Sequence, residues 1–181
     1  MKFGSFEFKR RYSLAQIVVD IASVGALLYI FFIVYVCAMD IETTKSLNST
    51  DVNLDFMNWK PLIIWCVLGV IFFALSVVMI VLPRKIPKKL TVNEANAPKY
   101  CNIIDTCISC LRFVILLAIS ELCYIHMRTI MLQEVSISIQ LILDIIIGVL
   151  IIWFTAVRID SVNQVALSEN SEKKTHQIIE N

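Results

Sequence analysis

The chain has 181 residues, of which 58% are hydrophobic, with a mean hydropathy of +0.77 and a net charge of only +1. Its apolar residues gather into four long blocks rather than spreading as they do in a soluble core, which excludes a separate water-soluble domain of ordinary composition. The near-neutral charge gives no electrostatic support for a nucleic-acid partner.

Residues 1–16 combine Lys2, Lys9, Arg10 and Arg11 with Phe3, Phe6, Phe8 and Tyr12. This basic, aromatic flank suits a headgroup interface or simply orients the first helix. The first apolar block predicts a helix over 17–39, too long for a signal-peptide core and without a small-x-small cleavage site. Ser13, Gln16 and Asp20 share one face of it. Asp20 is expected to reach interfacial water. The polar segment 40–60 reads as a loop and contains Asn48-Ser49-Thr50, a glycosylation sequon only in a secretory host.

A second helix is predicted over 61–83, bounded by Pro61 and Pro83 and free of charge, with Gly69 and Ser76 its best polar features. The linker to Tyr100 is the densest basic segment: Arg84, Lys85, Lys88, Lys89 and Lys99. The third helix is predicted over 102–127. It is apolar enough to span a bilayer, yet carries Arg112 near its centre, with Asp105 and Glu121 on either side. A charge there costs roughly 2.5–3.5 kcal/mol. A fourth helix follows over 135–157, and then a polar tail, 159–181, expected to be mobile.

The expected fold class is therefore all-α, an integral-membrane four-helix bundle. Each block suits a hydrocarbon layer ~30 Å thick. Residues 1–16 hold four Lys and Arg, the 84–99 linker five and the end of helix 4 one, Arg158, whereas Lys45, Lys60 and Arg128 flank the opposite side. That asymmetry places both termini in the cytoplasm.

A polar face predicts what holds the bundle together. On helix 3, Cys101, Asp105, Ser109, Arg112, Leu116, Ile119 and Cys123 fall near one line at helical spacing. On helix 4, Gln140, Asp144, Gly148, Ile151 and Thr155 form a comparable stripe. Because helices 3 and 4 form a short hairpin, Arg112 is expected to pair with Asp144, with Asp105 a second carboxylate on the same face. Such a pair is either a structural clamp or part of an ion path. The scarcity of glycine and the absence of an internal repeat favour the clamp.

Six cysteines lie within or beside the apolar blocks. Most read as small apolar residues. Cys107 and Cys110 form a C-x-x-C, so a thiol oxidoreductase is one reading. Their position in the cytoplasmic half of helix 3, without relay cysteines in a loop, weighs against it. His126 and His176 are isolated, and no metal site or cofactor is expected.

The stretch Thr91-Val92-Asn93-Glu94-Ala95-Asn96-Ala97 to Tyr100, between two apolar helices, resembles a "T-x-E-N-A…Y" stretch in small bacterial multi-helix membrane proteins of the DUF1648 type. These include relatives of an immunity protein against a sporulation-delay toxin. The resemblance covers about residues 61–157. Residues 38–60 lack the family's histidine motif and its glycines. It implies a bacterial plasma-membrane protein, with some relatives acting in toxin immunity or signalling, and it supplies no catalytic residues. The expected function is that of an accessory, sensing or immunity-type binding protein, its partners being the bilayer and another membrane protein or peptide toxin. The alternatives are an ion- or proton-coupled transporter and, third, the thiol oxidoreductase.

Overall fold

The structure, a computed structural model, describes residues 2–3, 6–7, 12–47, 58–82, 96–131 and 139–179. The sequon at Asn48, the basic linker from Pro83 to Ala95 and the connection 132–138 lie outside the described residues. Four helices dominate: α1 (Leu14–Leu47), α2 (Ile63–Val81), α3 (Ala97–Ile130) and α4 (Ile139–Ile179). A 3-10 turn, Lys60–Leu62, leads into α2. In the N-terminal flank, β1 (Lys2–Phe3) pairs antiparallel with β2 (Phe6–Glu7), a small ribbon that hydropathy did not predict. All four helices are long and apolar enough to cross a membrane.

Local chemistry sets the helix starts. Ser13 caps α1, its hydroxyl accepting from the Gln16 backbone N–H at 3.1 Å. Ser13-x-x-Gln16 has the spacing of a capping box. Asn58 accepts from the Lys60 N–H at 3.0 Å and so opens the turn before α2. Pro98 lies in the first turn of α3, where its missing N–H would have had no helical partner. The helix therefore begins at Ala97, five residues earlier than the sequence predicts.

Two helices also outrun their apolar blocks. α1 continues through Asp40 to Leu47, where a loop was expected. Thr43 and Thr44 donate their hydroxyls to the carbonyls of Met39 and Asp40, within the helix itself. The polar C-terminal segment likewise continues α4 as one helix to Ile179. The first part of this extension is docked rather than free. Ala166 is buried, and the Tyr100 hydroxyl donates to Asn163 Oδ1 at 3.4 Å. Tyr100, at the start of α3, is itself wholly buried. Replacing Ala166 with Glu is expected to undock this segment. Limited proteolysis should then cut readily after Arg158 while the four apolar spans stay resistant.

α3 is the hub, packing on α1, α2 and α4, and α1 also packs on α2. The apolar core lies where α1, α2 and α3 meet, around Ile30, Leu62, Leu116 and Ile119. Gly69 brings α2 close to α1: a Cβ there would sit 3.0 Å from Leu27 Cδ1 and 3.2 Å from Ile30 Cδ1. α4 is attached from one side. Of its described side chains only Asp144 and Ala166 are buried.

Candidate functional site: the Arg112 centre and the α3–α4 seam

The buried face predicted for α3 is real. Cys101, Asp105, Ser109, Arg112, Leu116, Ile119 and Cys123 are all buried. This face does not look toward α4, however. The Arg112 guanidinium forms an ion pair with Asp20 of α1 through Nη2 and Oδ1. Its Nη1 donates to the Ser76 hydroxyl of α2 at 3.5 Å, and its Cζ lies 4.9 Å from the centre of the Phe73 ring. Ser76 is held by donating to the Phe73 carbonyl at 2.7 Å. The cation is thus shared by three helices through charge, hydrogen bond and ring face. Asp20 retains 35% side-chain exposure, against 3% for Arg112. Its carboxylate faces a cavity of about 500 Å³ lined by Tyr12, Ile17, Ile21, Val24, Phe73 and Val77.

The expected Arg112–Asp144 pair is therefore corrected. The reason is rotational. At 3.6 residues per turn, Ile103, Cys107, Cys110 and Val114 stand about 160–220° around α3 from Arg112. These are the residues that α4 meets: Val114 lies opposite Gly148, and the other three line a cleft with Ile147, Ile151 and Thr155. Helix 4 is the neighbour that the short hairpin implies, but it docks on the far side of α3. Of the stripe on α4, Gly148, Ile151 and Thr155 face α3 and Asp144 is buried, whereas Gln140 is exposed. Gly148 against Val114 and Asn163 against Tyr100 fix an antiparallel register.

Asp144 is 2% exposed, and its Oδ1 accepts from Gln140 Nε2 at 3.0 Å. Its Oδ2 has no hydrogen-bond partner among the described residues. The register brings it level with the turn Leu117–Glu121, and Glu121 is half-buried on that same side of α3. Asp105 and Ser109 are buried on the opposite side, the face that Arg112 shares.

The two cysteines of the C-x-x-C are free and half-buried, and both face the α3–α4 cleft, away from Arg112. Cys37, Cys66 and Cys123 come from three different helices and meet in the apolar core. There they pack as small apolar side chains. Among the described residues no group of three His, Cys, Asp or Glu side chains could hold a metal ion.

Sequence reasoning singled out Asp20 but not its role. The signal was the Ser13, Gln16, Asp20 face, which Ser23 continues; Gln16 and Ser23 are both buried. At the other end of the bundle Trp65 Nε1 donates to His126 Nδ1 at 3.0 Å, the rings meeting edge to face at 86°. Trp65→Phe should cost about 1 kcal/mol, the worth of one such bond, measured by denaturant titration in detergent.

No protein-family model matches the sequence, and neither a curated protein nor a solved structure matches it.

Proposed function

We propose that the chain is a multi-pass membrane protein, with both termini in the cytoplasm, that acts by binding another membrane component rather than by catalysis. The membrane is the plasma membrane of a bacterium, as the DUF1648-type resemblance suggests. An immunity-type, sensing or accessory role fits this reading, with a second membrane protein or a peptide toxin as partner. One observation carries it. The Arg112 charge is paired within α1, α2 and α3, whereas of the described side chains of α4 only Asp144 and Ala166 are buried by the rest of the chain. Ile142, Leu143, Ile146, Val149 and Phe154 are exposed along that helix. A helix so lightly held presents a face to lipid or to a partner helix.

A photo-crosslinking residue at Ile146 tests this in native membranes. It should give a discrete protein adduct, whereas the same residue at Phe72 on α2 should give only lipid adducts. Lipid adducts alone at both positions would dismiss the binding reading.

A second reading, ion- or proton-coupled transport, is favoured by Asp144. It is a carboxylate almost wholly buried within an apolar span, with one oxygen held by Gln140 and the other unpartnered among the described residues, and ionisable side chains at such positions commonly line ion paths. In vesicles with a pH-sensitive dye inside, such activity would be lost in Asp144→Asn with the helix content unchanged. A parent protein that moves no protons under an imposed gradient would remove this reading. The thiol oxidoreductase ranks third, since Cys107 and Cys110 have no relay pair beside them among the described residues.

A further inference from the structure

The cleft between α3 and α4 has a volume of about 490 Å³ and a polarity that changes along its length. Ile103, Ile147, Leu150 and Ile151 give it apolar walls. Asn102 and Arg158 stand together at one end, because the antiparallel register brings the start of α3 level with the end of the α4 apolar block. The Arg158 guanidinium lies 5.7 Å from the centre of the Phe154 ring, which holds it at the cleft mouth. It makes no ion pair among the described residues.

We propose that this cleft binds an anionic phospholipid of the surrounding bilayer, with its phosphate at Arg158 and Asn102 and an acyl chain along the isoleucine walls. The proposal rests on the bilayer placement of the four helices argued above. The chemistry is complementary at both ends. A phosphate accepts from a planar guanidinium and from a side-chain amide. An apolar cleft with a few polar groups at one end selects an amphiphile over a small soluble anion. The mouth also lies at the edge of the apolar span, the depth at which a headgroup sits. The Phe154 ring one turn away gives the cation a weak attraction toward the cleft mouth.

Trp153 lines the cleft and provides a reporter. The chain has three tryptophans, and Trp59→Phe with Trp65→Phe leaves Trp153 alone. The full chain in this background is placed in phosphatidylcholine vesicles with small, equal fractions of tail-brominated phosphatidylglycerol or tail-brominated phosphatidylcholine. Resistance to alkaline extraction is checked first, and separates the two ideas. A protein released by alkali overturns the bilayer placement, and the lipid site falls with it. In a protein that resists, brominated phosphatidylglycerol should quench Trp153 with an association constant about fivefold above that of brominated phosphatidylcholine, the effect of one basic group at an anionic surface. Arg158→Gln should bring the ratio to one, and Arg158→Lys should keep it above one. Excess inorganic phosphate should leave the ratio unchanged. A ratio of one in the parent, a ratio that survives Arg158→Gln, or its removal by inorganic phosphate overturns the proposal. If Arg158→Gln loses its helix content, Thr106→Phe, which fills the cleft from α3, takes its place, and a ratio that survives this change is equally fatal.

Discussion

Replacing Asp20 with Leu should lower stability by about 3 kcal/mol, and adding Arg112→Leu should recover most of that loss. The single change leaves a buried guanidinium with only a hydroxyl and a ring face, since Ser76 and Phe73 carry no charge. The effect belongs at the low end for a broken buried pair, because Asp20 keeps part of its exposure. Arg112→Leu alone should cost less, since it strands only that partly exposed carboxylate. Unfolding by titration of a denaturing detergent, followed by helix content, measures all four members of the cycle. The same cycle with Asp144→Leu should be additive within about 0.5 kcal/mol, as expected of side chains on opposite faces of α3. Strong coupling of Arg112 to Asp144 and none to Asp20 would contradict the geometry outright.

Gly69→Leu should be nearly as damaging, at about 2–3 kcal/mol. The first added carbon already meets Leu27 and Ile30 at close to contact limits, and Ile30 is wholly buried. A further isobutyl group has to push α2 off α1. That movement also pulls Ser76 and Phe73 away from Arg112, since all three α2 positions lie on one strip of that helix. Gly69→Ala is the control. Its single methyl meets only the ends of flexible side chains, so a small rotation of Leu27 accommodates it, and better helix propensity offsets part of the cost. The two variants should differ by at least about 1 kcal/mol in the same detergent titration.

The four helices were legible because each apolar block is longer than a soluble core helix needs. The buried strip of α3, from Cys101 to Cys123, was legible from spacing alone. The partner of Arg112 was not. Proximity along the chain pointed to helix 4, and that helix is indeed a neighbour. Which face of α3 it covers depends on a second strip, Ile103, Cys107, Cys110 and Val114, whose small and branched side chains admit Gly148 and Thr155. That strip is visible in the sequence, but the cysteines in it invite a chemical reading before a packing one. The helix ends were hidden for another reason. Hydropathy reports where a helix meets lipid, not where its hydrogen bonds stop, so the polar ends of α1 and α4 were read as loop and tail.

At 1.5 Å per residue, the 41 residues of α4 make a rod about 60 Å long. Its hydrogen bond through Asn163 to Tyr100 at the start of α3 stands partway along, with Asp144 on one side and the polar end on the other. The 16 residues beyond Asn163 therefore carry the helix about 24 Å past that hydrogen bond to α3, well clear of the apolar block.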